Sequence, residues 1–251
     1  MYNFFANENS RHNNCYQITD SDCNHIVNVL RMKIDDELLI SCNGKSDLCK
    51  IKEIYDGTVI AEIINENCNN TELPVKLYLF QGLPKSDKME LIIQKAVELG
   101  AHCIVPVEMN RCVVKLDEKK KKSKVSRWQS IAESAAKQSK RNSIPEIHNV
   151  LSFAQAVDFA KSLDLILVPY ENESGMKGTK DALKLIKNGM SVGIFIGPEG
   201  GFEENEVEKT VSIGAKIISL GQRILRTETA AITSVAMCML HIEMNTGGDE
   251  K

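Results

Sequence analysis

From Val75 onward, short apolar segments alternate with longer segments whose apolar residues recur at helical spacing. The apolar segments are four to six residues long, which is typical of strands that are buried on both faces. This alternation predicts a parallel sheet with helices on both sides. The predicted strands are residues 75–80, 103–107, 165–168, 192–196 and 217–220. In such a sheet, ligands bind in loops at the carboxyl ends of the strands.

The first 70 residues follow a different pattern, with alternating polar and apolar residues at 36–42, 48–55 and 59–64. Asn43-Gly44 and Asp56-Gly57 separate these segments, and both pairs favour two-residue hairpin turns, so the pattern predicts a three-stranded meander. A short helix is predicted before it, over residues 21–32, and a small barrel is the natural closure for such strands. A polar stretch at 65–74 then marks a boundary between a domain at 1–72 and a second at 73–251.

Composition excludes several classes of protein. No run of about 18 apolar residues is present, and the N-terminus lacks the pattern of a signal peptide, so we expect a cytoplasmic protein without a membrane partner. Eight cysteines include no C-x-x-C pair, and we expect no metal. Residues 111–141 hold eleven Lys or Arg against three acids, which suits either phosphate binding or a solvated surface.

Two predicted strand-to-helix loops have compositions that an ordinary turn does not require. Residues 197–202, Gly-Pro-Glu-Gly-Gly-Phe, contain three glycines and a proline, which shape a backbone that can approach a ligand closely. The loop matches neither a P-loop nor a Rossmann fingerprint. The second loop begins at residue 220 with Leu-Gly-Gln-Arg-Ile-Leu-Arg-Thr-Glu-Thr-Ala. Its Ile224 and Leu225 are unfavourable in a loop unless they face a pocket or a partner.

The two loops resemble the signature loops of the RsmE family, the 16S ribosomal RNA uridine-N3 methyltransferases of the SPOUT (SpoU–TrmD) superfamily. Further segments resemble that family in the same order along the chain. They are residues 29–31, residues 83–100, Arg111, and Glu133 with Gln138 and Arg141. Several separated motifs are far more specific than a single one, so the chain is identified as similar to this family over nearly its whole length.

The resemblance implies an α/β fold in which residues 73–251 form a SPOUT domain with a deep trefoil knot, preceded by a small PUA-like β-barrel that binds RNA. It also implies that S-adenosylmethionine binds in the knot. The residues expected to form the cofactor pocket are Pro169, Tyr170, Glu171, Gly197, Pro198, Glu199, Gly200, Gly201, Leu220, Gly221, Ile224, Leu225 and Arg226.

The implied reaction is methyl transfer to N3 of a uridine in 16S ribosomal RNA of the small ribosomal subunit. Because N3–H is a weak acid, the site must stabilise a developing anion or remove the proton. Arg226 and Arg141 are candidates to hold the uracil and balance its charge, and Glu228 or Glu199 to accept the proton. Glu228 is equally suited to a purely structural role at a helix N-terminus. RNA contacts are expected from Arg11, Arg31, Lys85, Arg111, Lys137, Gln138 and Arg141.

Two other functions fit the same motifs less well. One is a related SPOUT methyltransferase that acts on transfer RNA or on a ribose 2′-oxygen, and the other is a ribosome-assembly protein with a vestigial cofactor pocket. The predicted last helix, residues 229–243, is apolar around most of its circumference and must be covered on more than one side. We therefore expect a homodimer through this helix, the alternative being burial of the helix beneath the small domain.

Overall fold

The computed structural model describes residues 1–173 and 175–246, and their contacts divide the chain into two units. Unit 1 consists of Met1–Glu72 together with Ala136–Ile144, and unit 2 contains Leu73–Ala135 and the rest of the chain from Pro145. The sequence placed Ala136–Ile144 in the second domain, whereas this segment packs with the first. No helix in the described part of the chain is long and apolar enough to cross a membrane.

Unit 1 contains a six-stranded curled sheet in the order β1-β4-β5-β6-β3-β2. β1 pairs with β4 in parallel, and every other ladder of this sheet is antiparallel. The described ladders join all six strands in one sheet, which agrees with the predicted small barrel-like domain. The elements are β1 Asn3–Phe5, β2 Arg11–His12, β3 Cys15–Ile18, α1 Asp20–Asn24, a π-helical turn His25–Val29, β4 Glu37–Cys42, β5 Lys45–Tyr55 and β6 Thr58–Asn69.

The predicted meander of β4, β5 and β6 is confirmed. Its two turns are made by Asn43-Gly44 and Asp56-Gly57, all four of which have positive φ angles, as the hairpin geometry requires. The sheet curls around a core that includes Tyr16, and Ile26 from the π-helical turn packs into the same core. The predicted helix at 21–32 is thus a short α-helix followed by a π-helical turn that ends at Val29.

Unit 2 contains a fully parallel sheet in the order β10-β8-β7-β12-β11-β13, with β9 also pairing with β8, which confirms the predicted architecture. The strands are β7 Lys76–Gly82, β8 Ala101–Glu108, β9 Glu146–Ile147, β10 Leu151–Ser152, β11 Leu165–Pro169, β12 Ser191–Ile196 and β13 Lys216–Ile218. The helices are α2 Lys88–Glu98, α3 Glu118–Gln138, which ends in unit 1, α4 Phe153–Ala160, α5 Lys177–Leu183, α6 Glu204–Ser212 and α7 Thr227–Thr246.

The core of unit 2 lies on both faces of this sheet, where most side chains of β7, β8, β11 and β12 are buried. α7 packs against α2, β7 and β12 through a buried stripe that contains Ala231, Val235, Cys238 and Ile242. The deep trefoil knot implied by the family resemblance stays a prediction.

Candidate active site

A cleft of about 440 Å³ lies at the carboxyl ends of β11, β12 and β13, within the size range of small-molecule sites. Three loops supply most of its wall, following these three strands in turn, and α2 and α7 complete it. The lining residues are Lys88, Pro169, Tyr170, Glu171, Ile196, Gly197, Pro198, Glu199, Gly201, Phe202, Ser219, Leu220, Gly221, Gln222, Arg223, Ile224, Leu225, Arg226, Thr227 and Ala230. The edge of the sheet predicted to bind a ligand therefore carries a cleft.

The structure brings twelve of the thirteen predicted cofactor-pocket residues together along this cleft, although they come from three separate segments of the chain. Gly200 is the exception. A Cβ atom built on Gly200 would lie 2.9 Å from Cβ of Arg111, and Nη1 of Arg111 donates a hydrogen bond of 3.0 Å to the Gly200 carbonyl oxygen. Gly200 thus packs against Arg111 and is not among the lining residues, so its part in cofactor binding stays a prediction.

The shape of the glycine-containing loop follows from two close approaches of its backbone. Gly201 has a φ angle of +69°, and its N–H donates 2.9 Å to the Pro198 carbonyl oxygen, which closes a tight turn. At the end of β7, a Cβ atom on Gly82 would lie 2.8 Å from Cδ of Pro198. Glycine at position 82 therefore allows the loop to pass directly beside the neighbouring strand.

Thr227, at the end of the second signature loop, forms a hydrogen bond with the first. Its hydroxyl donates a hydrogen bond of 2.7 Å to the Gly197 carbonyl oxygen and accepts one of 3.0 Å from Nε2 of the buried Gln81. Thr227 is the first residue of α7, and its hydroxyl binds the other loop. The positions of the two loops are therefore fixed relative to each other.

Lys88 places an ammonium group between a carboxylate that lines the cleft, Glu199, and the predicted proton acceptor Glu228, which is not a lining residue. Its Nζ lies 3.1 Å from Oε1 of Glu199 and 3.2 Å from Oε2 of Glu228. The Glu199 carboxylate also accepts a hydrogen bond of 3.0 Å from the Lys85 backbone N–H. Hydrogen bonding to Glu199 raises the pKa of Lys88 despite partial burial of the ammonium. Burial acts to raise the pKa of Glu199, but backbone N–H groups and Lys88 outweigh it and lower that pKa, so Glu199 is a poor proton acceptor.

The outer part of the cleft combines an apolar surface with a cation. Ile224 is 85% exposed, and Leu225 is half-buried beside it. An aliphatic side chain as exposed as Ile224 gains from burial only when something covers it. Arg226 is also exposed and lies on the same loop. Apolar and cationic groups at one rim suit a ligand that has a flat apolar face and develops negative charge.

Arg141 does not lie in an exposed binding position, contrary to the prediction that it holds the uracil or contacts RNA. Its side chain is 3% exposed within unit 1, and its guanidinium forms a two-pronged ion pair with Glu72 through Nε and Nη2. Glu72 also accepts a hydrogen bond of 2.9 Å from the Asn142 N–H. Burial acts to raise the pKa of Glu72, but hydrogen bonds from Arg141 and its neighbours lower it. Arg141 is thus a buried structural cation.

The other residues predicted to contact RNA fall into two groups. Arg11, Lys137 and Arg111 are already engaged with the protein, since Arg11 pairs with Glu66, Lys137 Nζ lies 2.8 Å from Asp22 Oδ1, and Arg111 binds the glycine-containing loop. Arg31, Lys85 and Gln138 are exposed. The second group agrees better with a surface that meets RNA, because a cation paired within the protein must give up that partner before it binds a phosphate.

Comparisons with known proteins identify the family to which the chain is related. A family model described as an RNA methyltransferase domain matches residues 71–239, and one described as an RNA methyltransferase PUA domain matches residues 18–64. The ribosomal RNA small subunit methyltransferase E of Bacillus subtilis is 40% identical over 237 residues, which is 92% of each chain. That of Mesomycoplasma hyopneumoniae is 33% identical and covers 95% of this chain and 99% of its own.

The chain belongs to the ribosomal RNA small subunit methyltransferase E family. Among solved structures, a family member from Neisseria gonorrhoeae bound to S-adenosyl methionine is 29% identical, with a TM-score of 0.81 over 96% of this chain and 97% of its own. Family membership and the two domain matches confirm the resemblance read from the signature loops. The matched PUA domain also confirms the PUA-like nature of unit 1's sheet.

Sequence reasoning missed Lys88, although it lies in one of the segments that resemble the family. The available signal was its position near the start of α2, because the beginning of that helix follows the carboxyl end of β7 and so lies at the ligand-binding edge. Among the described residues, no group of three or more His, Cys, Asp or Glu side chains is arranged to hold a metal ion.

Proposed function

We propose that this protein transfers a methyl group from S-adenosylmethionine to N3 of a uridine in 16S ribosomal RNA of the small ribosomal subunit. The observation that carries the proposal is the cleft itself, in which three separate segments resembling the methyl-donor loops of the RsmE family meet at the carboxyl ends of parallel strands. Membership of the family and the cofactor bound to the Neisseria gonorrhoeae relative support it. We propose unit 2 as the catalytic domain and unit 1 as an RNA-binding domain.

The residues of the cleft fit the proposed cofactor. Backbone groups of the glycine-containing loop and of Leu220-Gly221 can read the edge of an adenine, and Ile224 and Leu225 offer the apolar surface that a purine ring would cover. The carboxylates of Glu171 and Glu199, which line the cleft, complement the positive charges of the cofactor's amino and sulfonium groups. When bound, S-adenosylmethionine supplies the electrophilic methyl group.

The chain's own residues then act on the uracil. We assign Arg226 to hold the uracil and stabilise the negative charge that develops as N3 loses its proton. We assign Glu228 as the proton acceptor, since the lowered pKa of Glu199 makes that carboxylate the weaker candidate. Lys88 holds Glu228 in place through their 3.2 Å contact. Arg31 and Lys85 are the exposed cations that we assign to RNA contacts. Gln138 is also exposed, and we assign it to a polar contact with the RNA.

We further infer a homodimer in which α7 forms part of the interface. Opposite its buried stripe, α7 carries Leu240 at 49% exposure and Met244 at 72%, so one subunit does not cover the helix on all sides. Large apolar side chains on an outer helix face are stabilised when a second surface covers them. We place the protein in the cytoplasm, where small ribosomal subunits are assembled.

Nucleoside analysis of 16S ribosomal RNA from cells with and without the gene tests the proposal. We expect N3-methyluridine to disappear in cells without the gene and to return when purified protein and S-adenosylmethionine are added to the isolated small subunits. Loss of a ribose methyl group or of a transfer RNA modification would point to another SPOUT activity. Tight binding to ribosomal RNA, with no calorimetric signal for S-adenosylmethionine, would point to an assembly protein.

A further inference from the structure

A second concave surface of unit 2 lies between α5 and α7, outside the cofactor cleft. This α5–α7 groove encloses about 700 Å³. Its lining residues are Met176, Lys177, Thr179, Lys180, Leu183, Lys184, Met237, His241 and Asn245. None of them lines the cleft, and none belongs to the two signature loops. The groove is therefore a separate feature that the proposed methyl transfer does not explain.

The charge of the groove is opposite to that of the whole protein. Three lysines and a histidine line it, and no acidic residue appears among the described lining residues, although the chain has a net charge of −3. Lys184 has an ion-pair contact of 3.5 Å with Asp181, which is exposed and one helical turn away, so it is weak. No described acidic residue lies within 4.0 Å of the ammonium of Lys177 or Lys180. The groove thus presents positive charge that the described residues leave largely uncompensated.

The arrangement of these cations suits a chain of phosphates. Lys177, Lys180 and Lys184 are spaced by three and four residues, which places them along one side of α5 and its C-terminal end, over about 10 Å. Such a row can contact more than one phosphate of the same strand, and each contact releases counterions.

The floor of the groove is apolar and adaptable. Met176 and Met237 are unbranched and polarisable, so they can pack against flat rings of different shape, and Leu183 lies beside them. The neutral polar groups of the groove are already engaged within the protein. The Thr179 hydroxyl donates 2.8 Å to the Ser219 carbonyl oxygen, and Nδ2 of Asn245 donates 2.6 Å to the His241 carbonyl oxygen. The groove therefore offers cations and an apolar floor more than base-specific hydrogen bonds.

We propose that the α5–α7 groove binds single-stranded RNA without sequence preference, with Lys177, Lys180 and Lys184 on the phosphates and an unstacked base on the methionine floor. The proposal rests on the proposed function, because it takes the RNA to be a strand that flanks the modified nucleotide. Proteins that hold single strands combine a positively charged groove with side chains on which bases pack, most often aromatic ones, and here the methionines would take that place. The groove would add affinity for the substrate and leave the choice of uridine to the cleft.

The test compares two double charge reversals in the full-length protein. Lys180→Glu/Lys184→Glu alters the groove, and Lys187→Glu/Lys216→Glu makes the same change in charge at exposed lysines of unit 2 that do not line it. Fluorescence anisotropy with a labelled oligouridylate of about ten nucleotides, a length within the range of known single-strand sites, measures affinity over a salt series. We expect the groove variant to lose at least about tenfold in affinity and its salt slope to fall by about one to two, while the control stays within about threefold of wild type.

Equal losses in both variants, or no loss in the groove variant, would overturn the groove as an RNA site. Lys180→Ala/Lys184→Ala serves as a milder second variant, and calorimetry with S-adenosylmethionine shows whether the cleft is intact. A change in dimer dissociation on sedimentation, with unchanged RNA affinity, would instead make the groove an interface between copies. Failure of the wild-type protein to methylate small subunits would refute the proposed function itself, whereas unchanged KM for the subunit in the groove variant refutes only this inference.

Discussion

Replacing Lys88 by methionine tests whether one ammonium group controls the charge of the two carboxylates that it contacts. The substitution keeps a long, flexible side chain and removes the charge that contacts Glu199 and Glu228. The carboxylate oxygens that Lys88 holds are at most about 6 Å apart, because each lies within about 3.2 Å of the same nitrogen. Without the ammonium, two negative charges face each other in a partly buried site.

The size of the effect follows from Coulomb's law. At about 3.2 Å, the ammonium attracts each carboxylate by about 1.3 kcal/mol if the effective dielectric constant is that of water and by about 5 kcal/mol if it is about 20, and the variant loses this attraction. Since about 1.4 kcal/mol is a tenfold change in an equilibrium constant, this loss makes ionisation of a contacted carboxyl about tenfold or more less favourable. With 29% of Lys88, 25% of Glu199 and 14% of Glu228 exposed, solvent screens these contacts, so we expect an effect near the lower limit. Glu171, Arg223 and Arg226 are the other charged side chains that line the cleft, and all are present in both proteins.

The assay is the pH dependence of kcat/KM for methylation of isolated small subunits, measured together with calorimetric affinity for S-adenosylmethionine. We expect the acid limb of the Lys88→Met profile to move up by about one pH unit, because the proton acceptor must be ionised and becomes harder to ionise. Lys88→Arg should restore the wild-type profile. Lys95→Met is the matched control, since Lys95 lies on the same helix and pairs with Glu98, which does not line the cleft.

An unmoved acid limb in a folded Lys88→Met protein would refute this assignment, and so would an equal shift in the Lys95 control. If the Lys88→Met variant bound S-adenosylmethionine more weakly but kept the wild-type pH profile, the role of Lys88 would be purely structural. The Glu228→Gln variant separates the two carboxylates further, because it should abolish the acid limb only if Glu228 is the proton acceptor.

Three other substitutions test separate parts of the structure. Gly200→Val should weaken S-adenosylmethionine binding about tenfold by calorimetry, because the valine side chain collides with Arg111 and displaces the loop. Adding Arg111→Ala should recover part of the lost affinity. Glu72→Gln should lower the free energy of unfolding by about 2 kcal/mol in urea titrations, since it leaves the buried Arg141 with a neutral partner. In the wild-type protein the lowered pKa of Glu72 stabilises the fold at neutral pH. This part of the free energy of unfolding should disappear as the pH falls below about 4. The Gln variant, which has no carboxyl at this position, should not show this loss of stability in acid. Ala236→Glu on α7 should produce monomers by light scattering, and a dimer of unchanged mass would contradict the proposed interface.

Sequence patterns predicted those parts of the fold in which local chemistry decides the structure. The parallel sheet follows from buried apolar strands and intervening helices, and the two hairpin turns follow from Asn43-Gly44 and Asp56-Gly57, whose backbone angles few other pairs adopt without strain. The cleft was predictable for a similar reason, since loops at the carboxyl ends of parallel strands converge by topology.

Other parts depend on distant partners that no local pattern shows. β1 is three residues long and forms its ladder in parallel with β4, more than thirty residues away. The segment Ala136–Ile144 folds with unit 1 because the Arg141 carbonyl oxygen accepts hydrogen bonds from Asn3 and Ser41 and its guanidinium pairs with Glu72. Periodicity along the chain contains no information about such contacts.

Two of the four arginines that the sequence assigned to RNA contacts show why a cation alone does not indicate a nucleic-acid site. Arg111 and Arg141 each direct a guanidinium at an oxygen of the protein, the Gly200 carbonyl in one case and the Glu72 carboxylate in the other. Carbonyl, carboxylate and phosphate oxygens all accept hydrogen bonds from the same planar donor, so the residue type fits all three partners equally well. The location of the acceptor decides the role, and that location is a property of the folded chain. The same criterion favours Lys177 and Lys180, which line a groove without a described acidic partner, as cations available to a phosphate from outside.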